Sequence, residues 1–367
     1  MTSPTDLRQA VPLRSLPPRR DRSRLGWVLV SVAVALVVGL GVSPSGYVIE
    51  QPGPVYDALG SLEGDPLITI EGEQTYETDG SLDVLTVTVV GSPVRTPDLL
   101  RVALAWFDPR RSVKPLEAAF PTGYSVEESE TQSRLQMENS QQEAVAASLT
   151  ELGYEIPRTL TVQAVEAGLP AEGVLEDGDQ IVTVNDEPVE GLPELRRLVA
   201  ENGTESPLSL GVLRDGAPRT ETLTPVEREG QVIMGVGVAI SYEFPFEVDI
   251  ELPNVGGPSA GMMFALGIYD KLTPGSLTGG ERVAGTGTID AEGVIGEIGG
   301  IRQKMYGARE AGATWFLAPE GDCAEVVGHV PDGLNVVAVA TLDDALEALN
   351  VIAEGAGTSG LPTCDAR

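Results

Sequence analysis

A chain of 367 residues is long for one domain and sets two or three as the expected count. Its 42% hydrophobic and 22% charged residues suit globular cores, while 5% aromatics argue against a base-stacking platform and a net charge of −31 argues against nucleic acid as a partner. The single histidine, the two cysteines without metal-ligand spacing and the absence of a Gly-x-x-x-x-Gly-Lys-Ser/Thr loop leave no expected metal, nucleotide or other cofactor.

Residues 1–24, with six arginines and two aspartates, read as a basic tail. The next stretch, Leu25–Val42, is uncharged and mostly apolar, just long enough to cross a bilayer. Arginines on its N-terminal side keep that end cytoplasmic. A transmembrane helix over 25–43 is therefore expected, anchoring the chain by a single pass in the cell membrane with its body extracytoplasmic. A cleaved signal peptide is the competing reading, but its apolar region would be long and no clear Ala-x-Ala site follows.

Within 46–157, LITIEG (67–72) and LDVLTVTVV (82–90) read as strands. LQMENSQQEAVAASLTELG (135–153) reads as an amphipathic helix whose apolar residues include Met137, Ala144, Val145, Ala147 and Leu149. Residues 158–228 form a separate pattern of strand, small-residue turn, DGD, strand, NDEPV turn, helix and a hairpin around RDG. This stretch, AGLPAEGVLEDGDQIVTVNDEPV (167–189) above all, resembles the PDZ domains attached to bacterial membrane and periplasmic proteases. The resemblance implies a peptide ligand added to a sheet edge; a domain that only packs or spaces is the bland alternative.

Strand-like runs resume at 232–252, and strands then alternate with helices over 260–351. The tail, 352–367, is rich in Gly, Thr and Ala and is expected to fray. Cys364 lies in that tail, so a structural disulfide with Cys323 is not expected.

Gly257-x-Ser259-x-Gly261 introduces the apolar helix AGMMFALGIYDKL (260–272), and the bland reading of Ser259 is a helix cap. As a nucleophile it needs a base. His329, in the polar segment EVVGHVPDG, would give an esterase-like Ser–His pair, but that setting suits an exposed side chain. Of the two lysines after residue 250, Lys271 reads as exposed beside Asp270. On the helix 301–313, taking Ile301 as zero, Lys304 falls at about 300°, between Ala311 and Ala308 in the apolar stripe. Such a lysine either snorkels to the edge of a core or is a desolvated amine able to act as a base.

GGPSAG (256–261) together with GVIGEIGGIRQKMYGAREAGA (293–313) resembles the proteolytic domain of Lon-type proteases. That resemblance implies a Ser–Lys dyad of Ser259 and Lys304, and AGTGTI (284–289) places the family's threonine, which orients the lysine, at Thr286. With the anchor and the PDZ-like segment, the chain is similar to membrane-anchored bacterial Lon-like proteins. In those proteins the PDZ segment interrupts an α+β proteolytic domain, here divided into 46–157 and 229–351. The implied activity is ATP-independent serine endopeptidase cleavage of polypeptide segments, and a homo-oligomer is implied as well. A catalytically silent membrane scaffold working through its PDZ domain is the alternative.

Overall fold

The computed structural model describes the chain except residues 1–21, 121–125, 190, 229, 254, 356–359 and 365–367. In chain order come α1 (Arg22–Val42), β1 (Tyr47–Asp57), β2 (Ile68–Glu71), β3 (Ser81–Val90), α2 (Leu99–Ala105) and β4 (Ser112–Pro115). The helix α3 (Val126–Glu151) leads into β5 (Arg158–Val165), β6 (Gln180–Val184), α4 (Leu192–Asn202), β7 (Leu208–Arg214), β8 (Ala217–Leu223) and β9 (Val236–Tyr242). β10 (Glu247–Ile250), α5 (Gly261–Leu272), β11 (Arg282–Gly285), α6 (Ile301–Ala311), β12 (Trp315–Pro319), β13 (Asn335–Val339) and α7 (Leu342–Ala353) follow. Two compact units result, 1–49 with 90–121 and 50–89 with 122–367.

In the first unit Asp98 caps α2 by accepting the Arg101 N–H at 2.9 Å, and Val102 and Ala105 then pack with Ile49, Val90 and Val113. The stretch expected to cross a membrane is helical as α1, and its valines and leucines from Val28 to Val42 are exposed. Among the described residues, however, no helix is long and apolar enough to cross a membrane. The apolar stretch begins at Leu25, whose side chain lies outside the described residues.

The second unit is mixed α/β: a parallel sheet packed with buried apolar residues on both faces, and a separate antiparallel sheet with a core of its own. Strands β3, β11, β12 and β13 form a parallel ladder, with β1 on the far side of β3. Phe316, Leu317 and Ala318 of β12 are consecutive and fully buried, as a strand covered on both faces requires. Helix α5 is buried around its circumference from Met262 to Ile268 and packs against α3. A helical stretch that is apolar on every side belongs in a protein core or a membrane, and here a core takes it. Gly261 admits the close approach: a Cβ there would stand 2.8 Å from Ser140 Oγ and 3.0 Å from Ile289 Cγ2.

The other core lies between α4 and an antiparallel sheet of order β8-β7-β6-β5-β9. Helix α4 contributes Leu195, Leu198 and Val199, three positions on one helical face. The DGD turn is fixed by buried Asp179, which accepts two bonds from Arg214, at 2.7 and 2.6 Å. Arg214 holds the Asp179 carboxyl below its ordinary range. This sheet runs past the expected boundary at residue 228. VGVAISY forms β9 and pairs antiparallel with β5, so residues up to Tyr242 belong to it. EVDI forms β10 and pairs instead with β2.

The cysteines require a correction, because Cys323 and Cys364 are joined in a disulfide with Cα atoms 4.9 Å apart. Residues 361–364 fold back far enough for Pro362 O to accept the Ala338 N–H at 3.0 Å, and Leu361 packs on the main core. That return brings the second cysteine to the first. The remainder of the expected frayed tail at 356–359 and 365–367 lies outside the described residues.

Candidate active site

Three backbone features place Ser259. Gly257, at φ 86°, donates its N–H to Ser133 O at 2.8 Å, and Ser140 Oγ donates to Pro258 O at 2.9 Å, so α3 grips the loop from one side. On the other side Gly287 N–H donates to Ser259 O at 3.0 Å. Ala260 rather than Ser259 is the N-cap of α5, and no side chain caps that helix. The capping reading of Ser259 is therefore not what the fold builds, and its hydroxyl serves another contact.

That contact is Lys304. Gly300, in the left-handed region at φ 75°, turns the chain into α6, and Lys304 N–H bonds Gly300 O at 3.1 Å. One turn into the helix, Lys304 Nζ reaches Ser259 Oγ at 2.7 Å and Thr286 Oγ1 at 2.8 Å. Thr286 follows β11, is 1% exposed, and donates its own hydroxyl to Ser259 O at 2.9 Å. The structure thus brings together the three residues singled out in the sequence. Thr286 ties the amine to the backbone carbonyl of the residue whose hydroxyl the amine also touches.

Lys304 is 3% exposed, with Met305 and Ala308 of the same stripe fully buried. Burial pushes its amine from the ordinary 10.5 down to about 8, against an opposing pull from Asp322. A lysine at about 8 is neutral in roughly one molecule in ten at pH 7, several hundred times the ordinary fraction. Ser259 and Lys304 face a cavity of about 260 Å³, lined also by Tyr56, Thr86, Met137 and Gly256. Thr86 lies on β3 beyond Val84, the last residue paired to β11, so this stretch of β3 borders the cavity past the end of the ladder.

Other expectations change. His329 does not line this cavity, and its Nδ1 lies 3.1 Å from Val327 O. Lys271 is half-buried rather than exposed, and burial lowers its pKa, but it too lies off the cavity lining. Gln303, two residues after Ile301 and so at about 200° on the same projection, opposite the apolar stripe, is nonetheless 3% exposed. Asp322, which acts electrostatically on Lys304, carried no signal in the sequence; EGDC (320–323) reads as an ordinary acidic turn. Among the described residues, no group of three or more potential ligands could hold a metal ion.

Residues 247–351 match the Lon protease (S16) C-terminal proteolytic domain, and residues 128–224 match the PDZ domain family. The PDZ match begins inside α3, which packs on α5 of the proteolytic part, whereas the antiparallel sheet itself starts at Arg158. Among curated relatives, Lon protease 1 of Bacillus subtilis (strain 168) is 30% identical over 119 residues, covering 30% of this chain and 15% of its own. Lon protease of Clostridioides difficile (strain 630) is 35% identical over 94 residues, covering 25% and 12%. Lon protease 2 of Herpetosiphon aurantiacus is 37% identical over 107 residues, covering 27% and 13%. The chain thus spans 12 to 15% of the length of these relatives. The PDZ domain of the SdrC-like protein from Listeria monocytogenes aligns with 22% of this chain and 85% of its own at 15% identity and a TM-score of 0.21. The proteolytic-domain match and the Lon relatives support a serine endopeptidase, in a chain that also carries a PDZ-family segment.

Proposed function

We propose that the chain is an ATP-independent serine endopeptidase with a Ser259–Lys304 dyad. The observation that carries this reading is the 2.7 Å contact between Ser259 Oγ and an amine that is itself buried. Neutral Lys304 accepts the hydroxyl proton as Ser259 Oγ bonds to the carbonyl carbon of a peptide. The ammonium then returns the proton to the leaving amine as the C–N bond breaks, which leaves an acyl-enzyme. Lys304 next takes a proton from water as its oxygen bonds to the acyl carbon, and the ammonium returns that proton to Ser259 Oγ as the ester C–O bond breaks, releasing the acid. Thr286 holds the amine in place through both halves.

The oxyanion is expected at the backbone N–H groups of Ser259 and Ala260. The next two amides are committed, Gly261 N–H to Pro258 O at 3.4 Å and Met262 N–H to Gly287 O at 3.2 Å. A substrate strand would lie along β3 past Val84, which suits an extended, loosely folded segment. ATP-independence rests on the lack of a phosphate loop in the 367 residues.

The PDZ-like domain would recruit or gate such segments. Its β9 is a sheet edge, and a cavity of about 760 Å³ separates it from Leu192, Leu195 and Val199 of α4, which suits strand addition. Anchoring in the cell membrane through 25–42, with the body extracytoplasmic, is supported by the six arginines ahead of the stretch and by the Cys323–Cys364 disulfide. Disulfides persist mainly in oxidising compartments. Assembly into a homo-oligomer is a further part of this reading.

The test uses the full chain, an unfolded protein substrate and no ATP. Wild type is compared with Ser259→Ala and Lys304→Ala, each verified as folded by circular dichroism. Cleavage by wild type alone is the expected result; cleavage by Lys304→Ala at the wild-type rate removes the lysine base.

A further inference from the structure

Asp322 sits at the end of the turn after β12 and is 6% exposed. Its Oδ2 accepts the Ile298 N–H at 3.0 Å. Ile298 is followed by Gly299, which lines the cavity, and by Gly300, whose left-handed backbone starts α6 and whose carbonyl bonds Lys304 N–H. A carboxylate therefore holds the segment from which the lysine helix begins. The packing there is tight, since a Cβ on Gly321 would overlap the Glu297 side chain. From the other side Cys323, the next residue, is tied through its disulfide to the returning C-terminal segment.

We propose that Asp322 is a positioning residue for the Ser259–Lys304 pair, fixing the 297–300 turn and setting the field at the buried amine. The proposal rests on the dyad reading above. The charged groups acting on Asp322 are Glu297, Glu325 and Lys304, so the lysine is its one cation among them. Burial raises the Asp322 carboxyl to about 6, with Glu297 and Glu325 pushing the same way and the Ile298 N–H and Lys304 opposing. While ionised, it favours the ammonium and keeps the amine a strong enough base to take a hydroxyl proton. Once it is protonated or replaced by an amide, Lys304 loses its proton more readily and becomes a weaker base.

The experiment follows the rate at which a fluorophosphonate acylates Ser259 in the full chain between pH 5 and 9.5. In wild type the acidic limb should fall near pH 8, and the slope of log rate against pH should flatten near pH 6 as Asp322 takes its proton. Asp322→Asn keeps an acceptor oxygen for Ile298 but removes the charge. Its limb should move to lower pH by about half a unit or more, and its plateau should fall less than that of Asp322→Ala because the acceptor that fixes the turn remains. Asp322→Ala also loses the acceptor, and its plateau should drop on the order of tenfold as the turn loosens. Glu325→Gln, an exposed neighbour, should leave the limb in place. A purely structural role would lower rates without moving a limb.

A folded Asp322→Asn with an unmoved limb overturns the electrostatic part, and an unchanged plateau in Asp322→Ala overturns the positioning part. If Asp322→Asn does not fold, a wild-type profile that stays straight through pH 6 overturns the proposal. Labelling that persists in Lys304→Ala would instead sink the dyad reading itself. Labelling that needs Lys304 but ignores Asp322 sinks this inference alone.

Discussion

Replacing Thr286 with valine removes one of the two side-chain oxygens that Lys304 Nζ touches and leaves the volume nearly unchanged. The Ser259 carbonyl loses the Thr286 hydroxyl but keeps the Gly287 N–H at 3.0 Å, so the loop retains a backbone tie. A hydrogen bond to a charged group contributes about 1.5–3 kcal/mol, and the ammonium loses more than the neutral amine. Two effects follow. The Lys304 pKa falls below about 8, moving the acidic limb of Ser259 acylation to lower pH. The amine is also held by one contact where it had two, which should lower the plateau rate about ten- to a hundred-fold. Thr286→Ser, which restores the oxygen, should recover most of the rate. The assay is the pH profile of fluorophosphonate labelling, with thermal melts to confirm folding. A Thr286→Val protein with the wild-type plateau and a limb still near pH 8 would refute the role assigned to this hydroxyl.

Cys364→Ser opens a loop with a sequence separation of 41 residues and should lower unfolding stability by up to about 4 kcal/mol, read by urea titration. A midpoint equal to that of oxidised wild type would mean that the returning segment contributes nothing. Gly261→Ala places a Cβ 2.8 Å from Ser140 Oγ and 3.2 Å from the Ile289 backbone N, and over-packing of this kind costs about 1–3 kcal/mol. Its melting temperature should fall and its labelling rate with it, because the residue lies two positions from Ser259; an unchanged melt would show that α3 and α5 are less tightly joined than the distances indicate.

What the sequence disclosed about this site depended on local regularity. Lys304 stood out because the helical projection put a cation inside an apolar stripe, between Ala311 and Ala308, and the fold buries it there. Gln303, one residue earlier, lies on the side that periodicity assigns to water, yet α6 is covered more widely than one stripe and buries it too. Strand propensity marked VIMGVGVAIS but could not name a partner. The partner is β5, some seventy residues earlier, and this moves the end of the PDZ-like sheet to Tyr242. The disulfide escaped for a similar reason: a cysteine near a Gly-rich end looks mobile until Pro362 is seen bonded to Ala338. Asp322 had no pattern at all, because what distinguishes it is the amide it meets after the chain has folded.

Lys304 also makes a prediction about stability opposite in sign to the usual effect of altering a buried side chain. Its folded value, about 8, lies below the ordinary 10.5, so the unfolded chain binds more protons throughout the interval between them. Wild-type stability should therefore rise with pH across that interval. Below about pH 8 the chain carries the full cost of a buried ammonium, about 3 kcal/mol at 1.36 kcal/mol per unit. Lys304→Met keeps the length and the apolar contacts and removes that cost. Against it stand the two hydrogen bonds of the neutral amine, about 1 kcal/mol each (the extra strength they have with the ammonium is already contained in the lowered pKa), softened because Thr286 still donates to Ser259 O and Ser259 Oγ faces the cavity. The inactive variant should be at least as stable as wild type at pH 7, with an advantage that shrinks as pH rises from 8 toward 10.5. Urea midpoints of both proteins at pH 7, 8, 9 and 10 test this. A Lys304→Met protein clearly weaker at pH 7, or a difference independent of pH, would mean that the lysine is solvated in solution and that its burial does not supply the base. If the advantage is found, the desolvation that destabilises this core is the same desolvation that makes an amine able to take the proton of Ser259 near neutral pH.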